Sequence, residues 1–213
     1  AGLGLAGLLL SGFTIGAQQV VTTASTVYEN GVAADLVVGM KVEAEGSISG
    51  GVLTARKVSF RDNGRLEGDV ATVTGNSLTL AGLPGVVVQT NSLTSFKGVG
   101  SAAGLAAPNH LRIRGRVGPA NTLVATELEL RDLRSDSTVV LRGPVTVKAA
   151  PNLTILELSV DTSTVPDTQF KDTKDAVIGR TAFFNALSVG NAVKAKGSLR
   201  SGAVRWDEME LED

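Results

Sequence analysis

The 213-residue sequence contains no cysteine, one histidine and only 4% aromatic residues. Without cysteine the chain has no disulfide, no thiolate metal site and no thiol nucleophile. One histidine excludes metal motifs that need two, and it leaves at most one imidazole base for a catalytic triad. Few aromatic side chains leave few platforms for stacking bases. We therefore expect no nucleic-acid partner.

Charge and hydrophobicity are those of a folded chain rather than a disordered one. Lys and Arg number 20, Asp and Glu number 21, and 43% of the residues are hydrophobic. The longest apolar run, residues 3–10, is far shorter than the roughly 20 residues of a membrane-spanning helix. We expect no membrane span. Because the chain starts at Ala1 without a basic segment, we expect any signal peptide to lie outside this sequence.

One sequence unit occurs three times along the chain. Residues 36–46 read Leu-Val-Val-Gly-Met-Lys-Val-Glu-Ala-Glu-Gly, and residues 187–197 read Leu-Ser-Val-Gly-Asn-Ala-Val-Lys-Ala-Lys-Gly. Residues 105–115 repeat this pattern more loosely, with Pro108 at the place of the first glycine. Each copy continues into a further apolar–polar alternation, which predicts a last strand in each unit, at residues 53–60, 123–130 and 204–211.

Further landmarks lie upstream of each copy in the same order. A threonine stands two residues before an aromatic residue in every unit: Thr26 and Tyr28, Thr94 and Phe96, Thr168 and Phe170. Gly-x-Val followed by Leu-Thr-Leu or Leu-Thr-Ile occurs in units two and three, and Phe-Thr-Ile occurs in unit one. These landmarks predict three domains, at residues 1–62, 63–132 and 133–213, with an insertion at 171–186 in the third.

The apolar spacing within each unit is two residues, which is the period of a half-buried β-strand. Gly, Asn, Asp and Pro interrupt the alternation and predict about five short strands per unit. A sheet of that size avoids exposed edges by curling into a small barrel. Helical turns are expected at residues 102–107 and 175–186. The predicted fold class is all-β: three tandem small OB-like β-barrel repeats that form an elongated rod.

The order of these landmarks resembles a family of bacterial repeats known as domain of unknown function 5666. The shared pattern is Gly-x-Val, Phe/Leu-Thr-Ile/Leu, Thr-x-aromatic, Leu-x-Val-Gly-x-x-Val-x-x-x-Gly and Leu-x-Ala-x-x-Val-x-Phe. The resemblance covers essentially the whole chain, three times over. It implies an exported bacterial protein of the periplasm, cell surface or extracellular space, and it implies no catalytic residue.

Basic and aromatic residues provide one candidate ligand face. Arg112, Arg114 and Arg116 alternate along one predicted strand, where they would meet an anion or an oligonucleotide. The other two units carry Glu or Lys near these places, so a solvated strand face is the competing interpretation. The insertion that contains Phe183 and Phe184 is the preferred location for a ligand-binding site.

His110 aligns with Lys41 and Ala192 in the other two units, so we expect it on the surface. No serine motif of a hydrolase accompanies it. No constellation of residues stands at catalytic spacing. We therefore predict no catalytic residue, no cofactor and no metal site, and we expect the protein not to be an enzyme.

The first strand lacks a polar face, because five leucines occupy it: Leu3, Leu5, Leu8, Leu9 and Leu10. A strand that is apolar on both sides is covered on both sides. The cover is either the adjacent repeat of the same chain or another molecule that pairs with the strand.

Two functions remain open at this point. The first is a non-enzymatic structural or interaction protein of the bacterial cell surface or exterior, self-assembling as a fibre or matrix subunit or bound to another envelope protein. The second is an OB-like binding module for a saccharide, an oligonucleotide or a peptide.

Overall fold

The computed structural model of the chain describes residues 12–36, 40–118 and 120–212. These residues fold almost entirely into β-strands, with one α-helix, α1 (Gly179–Ala186), and three short 3-10 turns. The all-β prediction is therefore confirmed. The two expected helical regions are confirmed as well, by a 3-10 turn at Ala102–Gly104 and by α1. The chain divides into two compact units, the first ending at Arg61 and the second beginning at Asp62.

The described part of the first unit contains four strands: β1 (Gly12–Ile15), β2 (Gln18–Glu29), β3 (Val42–Ser49) and β4 (Val52–Phe60). They form one sheet in the order β1-β2-β4-β3, in which β2 runs parallel to β4. Its core is small. Val20, Ala55 and Val58 are fully buried, and half-buried side chains such as Phe13 and Tyr28 pack against them.

The second unit contains repeats 2 and 3. Repeat 2 has six strands: β5 (Gly64–Thr74), β6 (Ser77–Leu80), β7 (Val87–Gln89), β8 (Ser95–Lys97), β9 (His110–Val117) and β10 (Thr122–Asp132). The hydrogen-bonded neighbours follow a circuit from β5 through β6, β7, β10 and β9 back to β5.

Repeat 3 has the same order of strands, with α1 inserted before the last two. The strands are β11 (Thr138–Ala149), β12 (Asn152–Ile155), β13 (Leu158–Asp161), β14 (Phe170–Lys171), β15 (Ala192–Arg200) and β16 (Ala203–Glu212). β11 pairs with β12 and β15, β15 pairs with β16, and β14 runs parallel to β16.

Repeats 2 and 3 share one sheet, because β5 and β11 pair with each other in antiparallel orientation. Leu66 lies directly opposite Leu141, and Leu66 also lies opposite Ile113 of β9. All three leucine and isoleucine side chains are fully buried. The prediction of three separate barrels is not confirmed by this arrangement, in which twelve strands of the second unit belong to one continuous sheet. A shared apolar row, which no single repeat contains, holds the two repeats together.

The last hairpin of each repeat contains a β-bulge opposite a glycine. In each hairpin the facing strand has one extra residue beside the glycine, which is Gly46 in β3, Gly115 in β9 and Gly197 in β15. A Cβ at these three positions would lie 1.9, 2.2 and 2.2 Å from a backbone carbonyl oxygen of the neighbouring strand. The glycine that ends the Val-x-x-x-Gly pattern is therefore required by the close approach of two strands.

The recurring threonine also has a structural role beside this bulge. The Thr26 hydroxyl donates a 2.7 Å hydrogen bond to the carbonyl oxygen of Ala55, and the Thr94 hydroxyl donates an equivalent 2.7 Å bond to Ala125. Ala55 and Ala125 are the residues that face Gly46 and Gly115. The threonine thus satisfies a carbonyl group next to the point where the strand ladder is interrupted.

Candidate functional site

A row of basic side chains crosses the sheet of the second unit. Arg142 of β11 lies opposite Arg65 of β5, and Arg65 lies opposite Arg114 of β9. On the other side of Arg142, its cross-strand neighbour in β15 is Lys194. Four adjacent strands from two repeats thus place four cations side by side. We call Arg65, Arg114, Arg142 and Lys194 the basic row.

The basic row lies on the face of the sheet opposite the core. The residues that follow or precede the arginines along the strands, Leu66, Ile113 and Leu141, are fully buried. Successive side chains of a strand point to opposite faces. The side chains of Arg65, Arg142 and Lys194 keep 30%, 21% and 23% of their surface exposed, and Arg114 is exposed. The row is therefore open to a ligand.

Carboxylates neutralise three members of the basic row. Arg65 donates a 2.8 Å hydrogen bond from Nη2 to Glu67, and Arg142 donates one of 2.8 Å from Nε to Glu212. Lys194 pairs with Glu210. Arg114 has no carboxylate within 4 Å among the described residues. Like charges directly opposite each other destabilise a sheet. The three carboxylates offset this repulsion.

Glu67 is the central acid of this surface. Its Oε2 accepts hydrogen bonds from Nη2 of Arg65 at 2.8 Å and from Nε of Arg112 at 3.1 Å. Burial raises the pKa of the Glu67 carboxyl, but the two arginines outweigh that effect and hold the pKa below its ordinary value of 4.5. The carboxylate form therefore persists in the folded chain when the pH is mildly acidic.

We expect the second unit to lose stability as the pH falls through the ordinary glutamate pKa and below it. The folded-state pKa of Glu67 is depressed, so the unfolded chain takes up the proton first, and stabilisation present above that pKa is lost on acidification. Glu67→Gln is expected to lower the free energy of unfolding at neutral pH by about 2 kcal/mol. The variant should also lose less stability than the wild type between neutral pH and about pH 3.5.

Urea unfolding followed by the fluorescence of Trp206 measures this effect, since Trp206 is the chain's one tryptophan and is buried in the second unit. Glu157→Gln, at an exposed glutamate, is the matched control and should behave as the wild type. If the stability of Glu67→Gln falls in parallel with the wild type on acidification, Glu67 does not make this contribution.

The basic row opens onto a depression of about 270 Å³. Three arginines and two carboxylates face it, which leaves a formal excess of one positive charge. Its lining residues are Asp62, Gly64, Arg65, Arg114, Arg142 and Glu212. Both carboxylate oxygens of Asp62 lie within hydrogen-bond distance of the Thr126 hydroxyl, at 2.9 and 2.8 Å.

The one histidine of the chain lies in a buried cluster that adjoins this surface through Glu67. Nδ1 of His110 is hydrogen-bonded to Asp69 at 2.8 Å, and Nε2 lies 3.5 Å from Asp136 and 3.7 Å from Glu67. The Ser135 hydroxyl donates to the other oxygen of Asp69. His110 is only 1% exposed, so the prediction of a surface histidine is wrong. The cluster fastens repeat 2 to the segment that leads into β11.

The three repeats of the chain match a known protein family. The family described as "Domain of unknown function (DUF5666)" matches residues 5–59, 67–129 and 142–205. The chain belongs to this family. No curated protein and no solved structure matches the chain. The predicted tandem resemblance is confirmed, with three DUF5666 repeats in one chain.

The DUF5666 pattern explains the scaffold better than it explains the site. Its glycine and threonine positions form the bulged hairpins, whereas Arg65 and Arg142 precede its Gly-x-Val element and Arg114 occupies one of its variable positions. The basic row is therefore a property of this chain's particular residues. Sequence reasoning missed Arg65, Arg142, Lys194 and Glu67, because no local pattern marks them.

Three of the residues predicted to form a ligand face are enclosed. Arg116 is only 2% exposed. Phe183 and Phe184 are 0% and 6% exposed, because α1 packs both rings into the core. Their burial disfavours an exposed ligand face at these three residues, and their role in binding stays a prediction. Arg112 is half-buried against Glu67, and Arg114 alone is freely accessible.

The predicted assembly contact, Leu3, Leu5, Leu8, Leu9 and Leu10, lies outside the described residues. Among the described residues β3 pairs only with β4, whereas its counterparts β9 and β15 each pair along both edges. Within the described part of the first unit, β3 is therefore an edge strand, as is β1 at the other end of the sheet.

Within residues 12–36, 40–118 and 120–212, no group of three or more acidic or histidine side chains is arranged to hold a metal ion. No helix in that part of the chain is long and apolar enough to cross a membrane.

Proposed function

We propose that this chain is a non-enzymatic structural or interaction protein of the bacterial cell surface or extracellular space, which associates through the edges of its sheets. The observation that carries the proposal is the pairing of β5 with β11, by which two DUF5666 repeats join into one sheet. A repeat that pairs with its own kind inside one chain has the surface needed to pair with its own kind in another.

The geometry of the β5–β11 pairing supports this reasoning. Leu66 and Leu141 each stand two residues before the glycine of Gly-x-Val, so they are equivalent positions of the two repeats, and they face each other. Equivalent residues opposite one another are the mark of a two-fold, self-complementary contact. The two repeats thus meet in the same manner as subunits of a symmetric dimer.

The first unit supplies the edge at which a second molecule would join. Its β3 is unpaired on one side among the described residues, and exposed strand edges attract further strands. In the other repeats the strand at that side is the first strand of the repeat, whose counterpart here falls in residues 3–10. We propose that Leu3, Leu5, Leu8, Leu9 and Leu10 of a neighbouring copy pair there by strand addition.

The finer fold assignment belongs to the same proposal. In this proposal each repeat curls into an OB-like small barrel. The circuit of pairings in repeat 2 supports the barrel assignment, and the family resemblance supports export from the cytoplasm. The burial of His110 among carboxylates supports a non-enzymatic role, because it withdraws the chain's one imidazole from solvent.

Deletion of residues 1–10 is expected to abolish self-association while leaving the second unit folded. The full chain should elute with a mass of two or more copies in size-exclusion chromatography with light scattering, and should form regular particles in negative-stain electron microscopy. The deletion variant should be monomeric. Its Trp206 fluorescence should be unchanged, because the tryptophan lies in the second unit.

A variant with the same five leucines replaced by threonine keeps the chain length and the strand propensity while removing the apolar faces. It should also be monomeric. A full chain that remains monomeric at every concentration, or a deletion variant with undiminished mass, would overturn the proposal. In the first case residues 3–10 cover β3 within their own chain.

The second candidate, a ligand-binding module, is favoured by one specific observation: the depression over the basic row. That surface lies in the second unit, and it does not depend on residues 3–10.

A further inference from the structure

We propose that the depression over the basic row is a binding site for an oxyanion, a phosphate, sulfate or carboxylate group carried by a small ligand. This site is independent of the proposed self-association. It is carried by three observations on the described residues: the alignment of like charges, the hydrogen-bond donors left without partners, and the size and lining of the depression.

The first observation is that Arg142, Arg65 and Arg114 are direct cross-strand neighbours. Opposed residues in antiparallel strands have Cα atoms about 4.5–5.5 Å apart, and like charges at that spacing repel. Long side chains from three adjacent strands can converge on one point in front of Arg65. Glu67 and Glu212 offset part of this repulsion, and an anion at that point would be attracted by all three guanidinium groups.

The second observation is that donors of this row remain unused. Nε of Arg65 is buried and has no hydrogen-bond partner in the described structure. The guanidinium of Arg114 has neither a carboxylate within 4 Å nor a hydrogen-bond acceptor among the described residues. A buried donor without a partner costs free energy unless a ligand or water satisfies it. Planar guanidinium groups match the geometry of carboxylate and phosphate oxygens.

The third observation concerns which anion fits. The volume of about 270 Å³ is slightly below the range of about 300–1,000 Å³ that holds drug-sized ligands. An acidic sugar unit or a phosphorylated small molecule is of suitable size. Among the described residues, no aromatic side chain lines the depression, so they offer no platform for stacking a base. The chemistry therefore favours a compact oxyanion over a nucleic-acid strand.

Isothermal titration calorimetry and thermal unfolding of the full chain test the proposal. The probes are sodium phosphate, sodium sulfate and sodium glucuronate, each at ionic strength held constant with chloride. At least one probe is expected to bind saturably and to raise Tm in the Trp206 signal, since a ligand that binds only the folded state stabilises it. The ranking of the three probes identifies the preferred oxyanion.

Arg114→Gln is the decisive variant. It should weaken binding about tenfold, the factor expected for a lost charge-assisted contact, and should remove most of the rise in Tm. Without anion, the same variant should have a higher Tm than the wild type at low salt, because it relieves the repulsion within the row. A residue that merely supported the fold would show the opposite change.

Arg56→Gln is the matched control, because Arg56 is an arginine of the first unit with 81% of its side chain exposed. It should bind the probes like the wild type. The proposal is overturned if none of the three anions binds saturably, if Arg114→Gln binds as tightly as the wild type, or if Arg56→Gln weakens binding equally. Equal weakening would mean that the anions respond only to net charge.

Discussion

Replacing Gly115 by alanine is expected to lower the free energy of unfolding of the second unit by about 3 kcal/mol. Gly115 lies in β9 opposite Ala125, where Thr126 bulges out of β10. A Cβ there would stand 2.2 Å from the carbonyl oxygen of Val124 and 2.9 Å from its carbonyl carbon. Both atoms belong to a paired strand, so neither can move aside without loss of β9–β10 hydrogen bonds.

Urea unfolding followed by Trp206 fluorescence measures this loss. Gly100→Ala is the matched control, because no atom lies within 4 Å of a Cβ at that position. We expect the control to change the free energy of unfolding by less than about 0.5 kcal/mol. An unchanged unfolding midpoint for Gly115→Ala would show that the hairpin accommodates a methyl group at little cost. The bulge would then not explain why glycine recurs at this position.

The position of this glycine is predictable from the sequence, but its reason is not. Gly46, Gly115 and Gly197 recur at the same place in three copies, and the alternation around them indicates paired strands. The bulge that makes a side chain impossible arises from one extra residue in the facing strand, which has no sequence signature of its own. Only the register of the paired strands shows why a glycine is required at this position.

Strand positions are the most predictable part of this fold. The last strands, expected at residues 53–60, 123–130 and 204–211, are observed at Val52–Phe60, Thr122–Asp132 and Ala203–Glu212. An alternation of period two runs through each of them, so the pattern is strong over the whole strand. The pairing of β5 with β11 is not predictable in this way, because either repeat alone shows the same alternation.

The basic row illustrates what sequence patterns omit. Alternation along β9 correctly indicates that Arg112 and Arg114 share a face, but the row runs across the strands rather than along one. Arg65 and Arg142 reach Arg114 only through the registers of β5 with β9 and with β11. Those registers follow from the burial of the apolar side chains on the opposite face.

His110 shows that aligning the repeats with one another can give the wrong environment for a side chain. His110 aligns with a lysine and an alanine in the other repeats, which suggests a surface position. Its burial follows from partners present only at this junction, since Asp69 corresponds to Pro144 in repeat 3 and Ser135 and Asp136 belong to the connection before β11. Equivalent positions share a backbone, but the partners of each side chain decide its environment.

The aromatic residues of the insertion likewise take their environment from partners that are present only in repeat 3. Phe183 and Phe184 of α1 pack with Phe170 of β14, with ring centroids 5.3 Å apart for Phe170 and Phe183 and 5.6 Å apart for Phe183 and Phe184. The Arg180 guanidinium lies 5.1 Å from the centre of the Phe170 ring. The aromatic residue of the Thr-x-aromatic landmark thus anchors the helix that the insertion adds to repeat 3.

Phe183→Ala is expected to lower the free energy of unfolding of the second unit by about 4 kcal/mol. Phe183 is fully buried, so the variant loses its apolar transfer free energy, its edge-to-face contacts and the packing around the resulting cavity. Leu133→Ala, at a leucine that is 69% exposed, is the control and should change stability by less than about 0.5 kcal/mol. Urea unfolding monitored by Trp206 compares the two. If Phe183→Ala loses less than about 1 kcal/mol, the ring is not a core element, and the insertion again becomes a candidate seat for a ligand.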